Sequence, residues 1–100
     1  MGSTIGLLAR IEARPEYADE VEKLLRGALE AARAEERTVT WFAFREGPAV
    51  FGIFDTFADE AGRTAHLNGA IAAALMDAAP TMLASPPDIR PVDILAVKPL

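Results

Sequence analysis

Cysteine is absent from these 100 residues, and histidine and tryptophan occur once each. Without cysteine there is no disulfide framework, no thiol nucleophile and no thiolate metal site. One histidine then leaves only carboxylates as metal ligands, and none of them is spaced as a ligand set. No metal is expected. Cations are also scarce: ten Lys and Arg face fifteen Asp and Glu, for a net charge of −5. That balance argues against a nucleic-acid or anionic-membrane partner. No glycine-rich pattern opens a helix, and Gly47 and Gly52 do not make a phosphate loop. Long apolar runs are missing too, since Ala70–Met76 is far too short to span a bilayer. Met1-Gly2-Ser3-Thr4 lacks a basic region followed by an apolar run, so no secretory leader is expected and a cytoplasmic location follows.

What the chain does have is apolar surface, 51% of its residues, in a length suited to one domain over residues 4–98. The stretch Thr40–Asp55, TWFAFREGPAVFGIFD, carries most information. It reads as two strands around a Gly47-Pro48 turn, each apolar on both faces. A sheet with one face in water alternates apolar and polar residues instead. Both faces must therefore be covered, and the helices available suffice for one. The other face is expected to meet a second copy of the chain or to enclose a ligand cavity.

Around this hairpin the periodicities are plain. Ile5, Leu7, Ala9, Ile11 and Ala13 alternate along a strand over Thr4–Ala13. Pro15 opens a helix with acidic residues in its first turn. Its apolar stripe runs through Tyr17, Val21, Leu25 and Ala32 to about Glu36, and its charged face, Glu22 through Arg37, is expected to be solvated. A second helical region starts near Ala58, breaks at Asn68-Gly69, and resumes over Ala70–Leu83 with Pro80 as a weak point. Asp88–Lys98 closes the chain as a strand, with Pro91 marking an edge or a bulge. The order β-α-β-β-α-β predicts an α+β, ferredoxin-like fold: a four-stranded antiparallel sheet with its helices on one face.

That order, with the segment FGIFDTFADEAGRTAHLNG, resembles the antibiotic-biosynthesis monooxygenase (ABM) domain family of dimeric α/β barrels. The family pattern places an acidic residue two positions before an aromatic at the third strand's end, then a histidine on the next helix. Asp55, Phe57 and His66 match it. Phe57 stands where tryptophan is frequent, and Ile71 where many members carry a second histidine. The resemblance implies a homodimer paired through its sheet faces and a cofactor-independent monooxygenase acting on a quinol or polycyclic phenol. The alternatives are a non-catalytic dimer that binds an apolar or aromatic small molecule, and a haem-binding or haem-degrading relative.

The candidate catalytic residues are His66 and Asp55. His66 has the only side chain whose ordinary pKa lies near neutrality, as a base against a phenolic proton requires; the bland reading is a helix-end residue. Asp55 ends an apolar strand and must be solvated, paired or functional. It could pair with Arg45 or Arg63, cap the next helix, orient His66 or bind a substrate hydroxyl. Trp41, Phe42, Phe44, Phe54 and Phe57 are candidate walls of a substrate pocket, or ordinary core and dimer contacts. Asn68 could donate to a substrate oxygen, or simply end a helix. If the turn contributes two residues, Trp41 pairs with Phe54 and Ala43 with Gly52; a one-residue shift exchanges every face.

Overall fold

The computed structural model describes residues 4–98, so Met1-Gly2-Ser3 lie outside the described residues. Four strands form one antiparallel sheet: β1 (Ile5–Glu12), β2 (Thr38–Arg45), β3 (Val50–Phe57) and β4 (Asp88–Asp93), in the order β2-β3-β1-β4. Helices α1 (Ala18–Gly27), α2 (Leu29–Ala34), α3 (Glu60–Leu67) and α4 (Ala70–Met82) complete the ferredoxin-like α+β fold.

The core lies between helices and sheet. Leu7, Ala9, Ile11 and Ala13 of the first strand region are buried, as their alternation requires, together with Phe51 and Ile53 of β3. Val21 and Leu25 of α1, Ala32 of α2 and Ile71 and Leu75 of α4 pack over them. Side chains directly opposite in antiparallel strands share a face. Leu8, Phe42 and Phe54 are aligned across three strands on the other face, where Leu8, Phe42 and Phe44 are 40–45% exposed. The two-sided apolar pattern thus resolves into one covered and one open face.

Three expectations need correction. The first helix is not continuous: Pro15–Tyr17 is a 3-10 turn, and the helix breaks at Ala28, where Gly27 weakens helical continuity. The last strand stops at Asp93 rather than Lys98, because Asp93 already faces Ile5, the first residue of β1. Beyond it, among the described residues, the pairing continues only at Thr4 O, which accepts from Ile94 N. Pro91 does lie on an edge strand.

The hairpin register also differs. Glu46–Ala49 separate the strands, with Glu46 N donating to Val50 O. Trp41 therefore faces Asp55, Phe42 faces Phe54, and Phe44 faces Gly52. The Phe44 ring covers Gly52, where a Cβ would sit 2.2 Å from its Cζ, so the expected space beside a small pair is filled. The helix expected over Ala70–Leu83 does form, to Met82, and runs through Pro80. Proline there removes one hydrogen bond, to the carbonyl of Met76, a residue exposed enough for water to serve instead.

Candidate functional site

Three pieces of chain meet at His66. It lies in the last turn of α3, a helix started by Asp59, whose side chain accepts from Gly62 N at 3.0 Å. The unpaired carbonyls at a helix C-terminus favour a cation there. Asp55, near the end of β3, points to the helix side of the sheet and is 1% exposed. Glu35 follows α2 in extended backbone (φ −83°, ψ 100°), which swings its side chain off the helix surface and inward.

His66 Nδ1 lies 2.6 Å from Glu35 Oε1, and Nε2 lies 2.9 Å from Asp55 Oδ2. Thr38 Oγ1 donates to the same Glu35 oxygen at 2.7 Å and fixes that carboxylate. On the Asp55 side distance and angle disagree. Nε2 is at ion-pair distance, yet neither Asp55 oxygen receives a well-aligned hydrogen bond. The distance governs the electrostatics; the angle leaves Asp55 with accepting capacity to spare. Phe57 packs beside the ring at 5.4 Å between centroids, tilted by 45°.

His66 is charged in this setting. Burial, the largest single influence, disfavours the cation, but hydrogen bonding and charge from Asp55 and Glu35 together outweigh it and raise the pKa from 6.5 to about 9. At neutral pH the ring rests as an imidazolium between Glu35 and Asp55.

Two spaces adjoin it. A chamber of about 30 Å3 between sheet and helices is walled by Asp55, His66 and apolar side chains, including Leu7, Ile53, Ile71 and Leu75. Leu67 and Met76 also line it and are 43% and 53% exposed, which marks its mouth. On the other side of His66, an open groove of about 460 Å3 is lined by Glu35, His66, Arg37 and Thr38, with small residues of α3 and α4. A metal ion does not suit the array, because the carboxylates reach opposite nitrogens of one ring; among the described residues no His, Asp and Glu group could hold one.

The structure thus brings His66, Asp55 and Phe57 together. Arg45 and Arg63, considered as partners for Asp55, bind Glu22 and Glu60 instead, and the helix cap is Asp59. Trp41 sits opposite Asp55 and lines a separate groove of about 480 Å3 along α1 and β2, with Phe42 and Phe44 at its edge. Phe54 lies on the open face beside Leu8 and Phe42. Asn68 ends α3, and its side-chain amide donates to Thr64 O at 3.0 Å. Glu35 was missed: it falls in the stretch expected to be solvated, and only its place at a helix end distinguishes it from Glu36.

A raised folded-state pKa stabilises the fold fully below the unfolded value, and that contribution is lost as pH rises through the folded one. The unfolding free energy should therefore fall by about 3 kcal/mol between pH 6.5 and 9 on account of His66. Chemical denaturation across this range checks it. A Glu35→Gln variant should show a shallower decline, and a flat wild-type profile contradicts the assignment.

No protein-family model matches the chain, and no curated protein does. Solved structures do. A protein of unknown function from Nitrosomonas europaea is 51% identical, with a TM-score of 0.95 over 98% of this chain and 95% of that one. A Pseudomonas aeruginosa protein is 22% identical, with a TM-score of 0.82 over 96% of this chain and 98% of that one. An antibiotic biosynthesis monooxygenase is 22% identical, with a TM-score of 0.75 over 94% of this chain and 99% of that one. The latter two likenesses are of fold alone. The chain belongs to the family of the Nitrosomonas europaea protein and has the ABM-like fold.

Proposed function

We propose that this protein is a cofactor-independent monooxygenase of the ABM type that acts on a quinol or polycyclic phenol. The observation carrying this reading is the Glu35–His66–Asp55 array, whose buried members His66 and Asp55 wall a chamber that is otherwise apolar. Cofactor-free oxygenation needs a group to remove a phenolic proton, after which the electron-rich phenolate reduces dioxygen by one electron. The radical pair must then recombine away from water. In sum, a ring C–H and the phenolic O–H are lost, one oxygen atom enters the ring as a quinone carbonyl, and the other leaves as water.

Because His66 rests as a cation, the proton goes to Asp55, whose oxygens have accepting capacity, and the imidazolium stabilises the phenolate beside it. The hydroxyl-bearing edge of the ring enters the chamber, and the remaining rings lie over Leu67 and Met76 at its mouth. Phe57 holds the imidazole from behind.

One observation favours a second reading, a dimeric module that binds an apolar small molecule without turnover. The chamber is far below the roughly 300 Å3 of ordinary ligand pockets, whereas the groove beside Trp41 exceeds it. A haem-binding role has no such support, since both ring nitrogens of His66 are occupied and neither offers a lone pair to iron.

The dimer belongs to the same proposal. Phe42, Phe44 and Leu8 leave a contiguous apolar patch on the open face, with Arg10 and Glu12 beside it. A two-fold partner would bury the patch and can set Arg10 against Glu12 of its twin.

Oxygen uptake with a panel of naphthoquinols and anthrones separates the two readings. Wild type should turn over at least one of them, and Asp55→Asn should lower kcat by about 10²- to 10⁴-fold with the fold retained. Absence of wild-type turnover across the panel leaves the binding module. Sedimentation at micromolar concentration should give twice the 10.7 kDa chain mass. Phe44→Glu should shift it towards the monomer, and a monomeric wild type overturns the pairing.

A further inference from the structure

We infer that the groove between α1 and β2 is a binding site for a small amphipathic monocarboxylate. Arg45 receives the carboxylate, and the aromatic walls hold a flat apolar body. The inference rests on the binding-module reading in taking this groove as a ligand site, and it gives that ligand a chemical class.

Size and walls come first. The volume of about 480 Å3 falls within the range of roughly 300–1,000 Å3 that small-molecule pockets occupy. Leu25 of α1 and Phe51 of β3 are buried at its floor, and Leu29, Trp41, Phe42 and Phe44 stand around them. Four of the chain's six Phe and Trp residues thus line one groove, and a flat ring system suits such walls. Trp41 through Arg45 all contribute, although successive side chains of a strand point to opposite faces. The groove therefore passes around the outer edge of β2, which is an edge strand of the sheet. A second copy seated on the open face would close it from the Phe42 and Phe44 side.

Charge selects the head of the ligand. The chain as a whole carries −5, yet at this lip Arg26 and Arg45 meet one acidic residue, Glu22. The two spaces beside His66 instead match acidic and basic residues one for one: Asp55 with His66, and Glu35 and Glu36 with Arg37 and His66. A single positive charge in excess suits a monoanion. A phosphate monoester would bring a second negative charge that the lip does not match.

Arg26 is mostly in water, where its charge is screened. Arg45 is held. Its Nε donates to Gly47 O at 3.1 Å, one terminal nitrogen donates to Glu22 at 2.6 Å, and the other donates to Pro48 O. The guanidinium also lies 5.0 Å from the centre of the Phe51 ring. These contacts order the side chain before any ligand arrives, so binding costs little further entropy. A guanidinium has five N–H donors, and these bonds use three of them. One remains on each terminal nitrogen, the number that a carboxylate takes with its two oxygens.

Trp41 is the sole tryptophan and its indole N–H is buried, so the full-length, 15N-labelled protein gives one indole signal from the groove wall. Titration with 2-naphthoate should move that signal. The amide 2-naphthamide, of the same shape without the charge, should bind at least about tenfold more weakly. Arg45→Gln should abolish the preference and leave naphthamide binding unchanged. Equal binding of the two ligands by wild type overturns the anion site while the module reading stands, and this comparison decides the matter even where the variant does not fold. A signal that responds to neither ligand overturns both for this groove. A folded Arg45→Gln protein that still prefers naphthoate places the charge elsewhere and overturns the assignment.

Discussion

A charged imidazole buried between two carboxylates ties together segments that lie far apart along the chain. Glu35 comes from the end of α2, Asp55 from β3 and His66 from α3, and the ring bridges them at 2.6 and 2.9 Å. Such a cluster tolerates little rearrangement. Removing one partner from a buried ion pair strands the other charge, at a cost of about 3–5 kcal/mol. The array also constrains the sheet. Asp55 must face the helices, so β3 must pair with β1 and β2 in the observed register. A slip by one residue would put Phe54 in the core and Asp55 on the open face. The same register lines up Leu8, Phe54 and Phe42 on the uncovered side. Site and open face are thus two consequences of one alignment.

Much of this was legible in the sequence wherever a residue type enforces a local geometry. Pro15 opens a helical turn, Asn68-Gly69 separates α3 from α4, and Pro91 lies on an edge strand because it cannot donate to an inner ladder. Aromatic and β-branched residues on both faces of β2 and β3 announced a sheet too apolar for one layer of helices. The remainder depended on geometry that composition does not encode. Turn length set the hairpin register, and Gly47-Pro48 fits a loop of four residues as readily as one of two. The length of the last strand depended on where β1 begins, a property of another segment.

Glu35 shows the limit most clearly. In type and spacing it matches its neighbour Glu36, which stays at the surface. What distinguishes it is backbone direction: the helix ends there, the chain turns extended, and the carboxylate meets an imidazole thirty-one residues away. His66 alone suggested a base of ordinary pKa. With Glu35 included, the same residue becomes a cation at neutral pH, and in the proposed chemistry the task of accepting a proton passes to Asp55. A single residue in an unremarkable charged stretch changes the assignment of acid and base.

The protonation state of His66 is therefore the fact on which fold stability, proton handling and the proposed chemistry converge. Neutron diffraction from a deuterium-exchanged crystal grown near neutral pH reads it directly. The account predicts deuterium on both Nδ1 and Nε2, with Glu35 and Asp55 each within hydrogen-bonding distance of its own nitrogen. A ring carrying deuterium on one nitrogen only, or turned away from either carboxylate, would contradict it.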